Sequence, residues 1–138
     1  MTFDYEIYPE QRMIVARYAG RFSLADLVAA TERMWDDPRY SMSFDGIVDI
    51  SDGSVGVAMA DFRAMLDIVR RSGKTSRGRW AAVAGTPLAT ACGILYQRAL
   101  AHRHAFEVFS TVDGACSYLG INWNGKGAPR RGHGGGRA

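Results

Sequence analysis

Two carboxylates, Asp49 and Asp52, close a short apolar run, Ile47, Val48 and Ile50, that reads as a central strand. Open α/β sheets place ligands beyond the carboxyl ends of such strands, so this pair is where acid–base chemistry would first be sought. General acid–base work also needs a partner group, and no His, Cys or Lys stands close by in the sequence. Turn aspartates commonly accept backbone N–H bonds and so organise a loop, which is the role this spacing supports better. With Ser54, the two aspartates mark a loop able to meet a ligand without performing chemistry on it.

The remaining reactive residue types are sparse. His102 and His104 flank Arg103 near a predicted helix end, and i, i+2 spacing on a helix turns them to different sides. His133 is the only other histidine, so no metal site is expected. Cys92 and Cys116 fall on predicted apolar helix faces without a base in their local sequence, which makes them buried small hydrophobes rather than nucleophiles. Gly73-Lys74-Thr75 has the ending of a phosphate-binding loop, but Ile68 stands where the loop's first glycine belongs and a helix precedes it instead of a strand. No Gly-x-Ser-x-Gly elbow occurs. These exclusions point away from an enzyme, and no cofactor is implied.

A binding role has one visible candidate. Between positions 70 and 79 stand Arg70, Arg71, Lys74, Arg77 and Arg79, with no acid among them. Such a segment suits docking to an anionic surface, whether an acidic protein partner, phospholipid or nucleic acid; the role the segment supports better is a solvated loop whose arginines complement a helix C-terminus. Nucleic acid is not expected, because the body of the chain is slightly acidic and carries no aromatic RNA-binding signature or helix-turn-helix pattern. A homo-oligomer is compatible with the sequence.

The elements that must position these residues follow from periodicity. Phe3, Tyr5 and Ile7 alternate with Asp4, Glu6 and Tyr8, and positions 12–19 form a second strand, giving an opening hairpin that Gly20 ends. Ser23, three residues before Asp26, caps a helix with Leu24, Leu27, Val28, Met34 and Trp35 at helical spacing. A strand over 44–51 and a linker over 52–56 precede a helix carrying Phe62, Met65, Leu66 and Val69, which Gly73 stops. A strand over 80–84, a helix from Pro87 with Leu88, Cys92, Leu95 and Ala99 inward, a strand over 106–109 and a helix over 112–119 ending at Gly120 complete the series. The order ββαβαβαβα predicts an α/β domain with a single mixed, mostly parallel sheet and helices packed on it.

Charge divides the chain. Its 138 residues have a formal net charge of +3, yet residues 1–120 hold 13 basic and 14 acidic side chains. Positions 121–138 hold Lys126, Arg130, Arg131 and Arg137, no acid, and six of the 16 glycines. With little to bury against its ordering entropy, 121–138 is expected to be a flexible basic tail behind a domain at 1–120. No apolar run approaches the ~18 residues that a membrane span needs. The polar start Met1-Thr2-Phe3-Asp4 is no signal peptide, so a cytoplasmic protein with reduced thiols is expected.

Several fragments then resemble a known group. The opening Tyr-Glu-Ile-Tyr-Pro-Glu-Gln-Arg (5–12), the strand Gly-Ile-Val-Asp-Ile-Ser (46–51), Pro-Leu-Ala (87–89) and the closing Asp-Gly-Ala-Cys-Ser-Tyr-Leu-Gly (113–120) are similar to those of small bacterial SpoIIAA-like (STAS/SEC14-type) domains. That resemblance implies an α/β domain whose better-known relatives are regulatory and bind partner proteins. Regulatory members carry a phosphorylatable serine at the start of the helix after the third element. The matching stretch here, Val57-Ala58-Met59-Ala60-Asp61, has no hydroxyl, and Ser51 and Ser54 precede the helix. The phosphoserine switch is therefore expected to be absent. SEC14-type relatives enclose apolar ligands, so a small apolar ligand or lipid-binding domain is the alternative to a non-enzymatic interaction module. A well-packed interior would favour the module, and an apolar pocket of ligand size the alternative.

Overall fold

The computed structural model describes residues 2–56, 59–73, 76–101 and 105–132. Strands β1 (Thr2–Tyr8) and β2 (Met13–Phe22) pair antiparallel, with Tyr8 opposite Met13. Phe3 and Ile7 are buried while Asp4 and Glu6 are exposed, as alternation requires of an edge strand with one wet face. Helix α1 (Leu24–Trp35) starts in a reciprocal cap: Ser23 Oγ accepts the Asp26 N–H at 3.2 Å, and the Asp26 carboxylate accepts the Ser23 N–H at 2.9 Å.

Strand β3 (Asp45–Ile50), a short β4 (Gly53–Val55), helix α2 (Met59–Ser72), β5 (Arg79–Ala84), α3 (Pro87–Ala99), β6 (Ala105–Phe109) and α4 (Val112–Leu119) follow. Thr86 and Thr111 cap α3 and α4 through their hydroxyls. Gly120, at φ +68°, closes α4 in the left-handed conformation that a side chain would resist. The sheet order is β1-β2-β3-β5-β6, parallel from β2 onward, with β4 beside the far end of β2.

Because each crossover from β2 to β6 steps the same way, right-handedness puts α1, α2 and α3 on one face of the sheet. Helix α4 covers the other: Ala115, Cys116 and Leu119 join Met13, Val15, Ile47, Ala81 and Val83 in one buried cluster. Strand β5 is buried from Trp80 to Ala84 because both of its faces are covered.

The structure departs from the sequence reading in three places. Strand β2 does not stop at Gly20. It continues to Phe22 through a φ of +77° at Gly20, and β4 forms against that extension, so part of the expected 52–56 linker is a strand. Leu88, expected inward, is 46% exposed at the start of α3.

The third departure is the expected tail. Strand β7 (Ile121–Asn122) pairs antiparallel with β8 (Arg130–Arg131), and Ile121, Trp123 and Pro129 are buried. The domain therefore extends past Gly120 to residue 132. Glycine and charge content hid three apolar anchors and an arginine that finds backbone carbonyls. Residues 133–138, on which the rest of that expectation falls, lie outside the described residues. No described helix is long and apolar enough to cross a membrane.

Candidate functional site

Alternation along β3 sends its side chains to opposite faces, and this separates the candidate residues. Ile47 and Asp49 face the α4 side, and Val48 and Ile50 face the side covered by α1, α2 and α3. Asp49 Oδ1 accepts the Ser51 N–H at 3.0 Å and the Ser51 hydroxyl at 2.5 Å. Its Oδ2 lies 3.7 Å from Arg17 Nε, and the Arg17 guanidinium sits 5.3 Å over the Trp123 ring. The carboxylate thus holds a turn and an arginine, the organising role of a loop aspartate. Asp52 is exposed, and it is its backbone carbonyl that takes the Gly20 N–H, at 3.1 Å. Ser54 is exposed on β4.

Both thiols are buried, and desolvation pushes each up from its ordinary value, so neither is poised as a thiolate. His102 and His104 lie outside the described residues, as do Val57 and Ala58 of the switch stretch. Among the described residues no group of three or more His, Cys, Asp or Glu could hold a metal ion.

The basic segment does not form one patch. Arg79 donates to the carbonyls of Tyr118 and Leu119 at 3.1 and 3.2 Å, so it neutralises the negative end of α4. Arg70 pairs with Asp67 on its own helix at 3.3 Å. Lys74 lies outside the described residues. Arg71 and Arg77 are exposed, and among the described residues no ion pair is found for either side chain. They border two surface depressions that share Trp35, Arg71 beside Thr31, Ile68 and the carboxylates Glu32 and Asp36, Arg77 beside Tyr40 and Ser41.

What the sequence did not disclose is a cavity of about 190 Å³ between the sheet and its three covering helices. Val48, Ile50, Trp80 and Ala82 form its floor, and Phe62, Met65 and Val69 of α2 its roof. Helix α2 makes its main packing contacts with α1 and α3 rather than with any strand, so it spans the space instead of filling it. No lining side chain is charged. Three phenols, Tyr18, Tyr40 and Tyr96, reach it; burial pushes Tyr18 up to about 12 and raises the other two.

One floor residue is fixed with particular care. Trp80 Nε1 donates to Ser76 Oγ at 2.8 Å, and the Gly78 N–H donates to the same oxygen at 3.0 Å. The Ser76 hydroxyl in turn donates to the Met42 carbonyl at 3.1 Å. A Cβ on Gly46 would stand 2.4 Å from the Trp80 ring, so only glycine there lets the indole lie against β3.

No protein-family profile matches the chain, and no curated protein matches it. A solved structure does: an uncharacterized DUF3478-family protein with a SpoIIAA-like fold from Shewanella loihica PV-4. The two superimpose with a TM-score of 0.58 at 14% identity, over 85% of this chain and 93% of that one. The chain has a SpoIIAA-like fold. That agreement bears out the expected architecture, an opening hairpin followed by a mostly parallel mixed sheet carrying four helices. At this identity a SpoIIAA-like fold carries no activity with it.

Proposed function

We propose that this SpoIIAA-like domain is a non-enzymatic, regulatory protein-interaction module without the phosphoserine switch. Its contact surface centres on Trp35 with Arg71 and Arg77. The observation carrying this reading is that two exposed arginines flank one tryptophan, and that neither has an ion-pair partner among the described residues. Trp and Arg dominate the energetics of many interfaces, and an arginine fork suits a carboxylate on an acidic partner. Arg70 lines a separate groove with Leu95 and Arg98, and Lys74 lies outside the described residues. Asp49, Asp52 and Ser54 are a candidate ligand-contacting loop, at the opposite end of β3. The setting proposed is the bacterial cytoplasm.

The test compares wild type with Arg71→Ala/Arg77→Ala as bait in extracts of the parent cell. A protein captured by wild type at low salt, and lost both in the variant and at high salt, supports the surface. Capture that survives both changes removes it.

A second reading, a small apolar-ligand domain, is favoured by the cavity of about 190 Å³ beneath α2. An internal space lined by hydrophobic and aromatic side chains with a few polar groups is the usual form of a small-molecule site.

A further inference from the structure

We propose that the cavity beneath α2 binds a small, uncharged aromatic molecule bearing one or two hydrogen-bonding groups, a compound of phenol or indole type. This rests on the second reading above, that the cavity holds a small molecule, and adds the class of that molecule.

Size comes first. An apolar cavity of about 150 Å³ is known to admit benzene, and the space here is about 190 Å³. That suits one ring, or two small fused ones, and not a lipid with a headgroup.

Charge comes second. None of the lining side chains is charged, so an ion entering would lose its hydration with nothing to replace it. A carboxylate or phosphate ligand is thereby excluded.

Shape and polarity come third. Phe22, Trp35, Phe62, Trp80 and Phe106 present ring edges and faces, which favour an aromatic guest over a flexible chain. The Tyr18, Tyr40 and Tyr96 hydroxyls add polar atoms to otherwise apolar walls. They lie close enough together that Tyr18 and Tyr40 both disfavour ionisation of Tyr96. A phenol hydroxyl can donate and accept at once, so one that already meets Thr31 or Trp35 can still serve a guest. Met34 and Met65 supply walls that adjust to the guest's outline. The roof helix α2 packs mainly on α1 and α3 rather than on a strand.

The experiment titrates the full chain with benzene, phenol, indole, benzoate and a long-chain fatty acid. Binding is read by tryptophan fluorescence and by chemical shifts, since Trp35 and Trp80 line the space. Phenol and indole are expected to saturate at one site, about ten-fold more tightly than benzene, with benzoate and the fatty acid weaker still. In Tyr18→Phe/Tyr40→Phe, which keeps the rings and leaves Tyr96 as the remaining phenol, the advantage of phenol over benzene should shrink while benzene binding stays. In Val48→Phe, which fills the floor, all ring compounds should be lost.

Equal affinity for benzene and phenol would overturn the proposed class and leave the cavity a ligand site. Tightest binding of benzoate or the fatty acid would do the same. No binding of any ring compound to wild type would overturn the second reading itself. The tyrosine pair keeps the class testable if Val48→Phe fails to fold.

Discussion

Arg131 Nη1 donates to Asp45 Oδ2 at 2.8 Å, joining positions 86 residues apart. The same guanidinium donates to the carbonyls of Gln11 and Arg12 at 2.9 and 3.0 Å. Asp45 also accepts the Arg79 N–H at 2.9 Å, so the Arg131–Asp45 pair ties the β1–β2 turn, the start of β5 and the C-terminal hairpin together. Arg12 holds a φ of 55°, which places its turn in the left-handed region and gives Arg131 two carbonyls to reach.

Arg131→Ala should lower stability by about 1–2 kcal/mol, since charge-assisted bonds are lost at a partly exposed site where water recovers some of them. Arg131→Lys should recover less than half, because an ammonium cannot span three acceptors in one plane. Truncation after Gly120 should cost far more than truncation after residue 132, as it strips Ile121 and Trp123 from the cluster on α4. Urea midpoints of the four variants and wild type decide each comparison.

Ser76→Ala should destabilise by about 1–3 kcal/mol, because it removes the buried acceptor of the Trp80 indole N–H, while the Gly78 N–H keeps the Met42 carbonyl at 3.3 Å. A freed indole should also change its fluorescence. A variant with wild-type stability and an unchanged spectrum would show that Ser76 does not hold Trp80.

Alkaline pH should unfold the protein through its buried phenols. Burial pushes Tyr18 from 10.0 up to about 12, with Thr31 opposing, and raises Tyr96 and Tyr40 as well. The folded state thus keeps protons that the unfolded chain releases first. Stability contributed by Tyr18 is complete below pH 10 and is lost between pH 10 and about 12. Stability measured across that window should fall less steeply in Tyr18→Phe than in wild type.

The arginines of the 70–79 segment should separate in their effect on folding. Arg79→Ala removes the cap on α4 and should cost about 1 kcal/mol. Arg71→Ala and Arg77→Ala should stay within about 0.5 kcal/mol, as exposed sites with no ion pair among the described residues do. Thermal melts of the single variants suffice, and equal losses at all three positions would contradict the division of roles.

Local signals made most of the fold legible. Ser23 with Asp26, Pro87, and Gly120 after Leu119 mark helix ends within a few residues, so caps and periodicity place all four helices. Features resting on distant partners stayed hidden. Strand β4 exists because β2 continues past Gly20, and Arg131 is ordered by carbonyls 119 and 120 positions away. The cavity was hidden for another reason. Phe62, Met65 and Val69 have the spacing of an apolar helix face whether they touch the sheet or stand off from it. Only the separation of the layers distinguishes a filled interior from a vacant one.

The α4 side of the sheet carries a consequence for biosynthesis. Met13, Val15, Ile47, Ala81 and Val83 are translated early, but their cover comes from 115–123. On the ribosome, the hairpin and its first crossovers can assemble while this apolar strip still faces water. Nascent chains therefore pass through a sticky interval that closes only when Trp123 clears the exit tunnel. Slow translation or early termination in the last stretch should send the product to chaperones or aggregates, even with the cavity-bearing side already made.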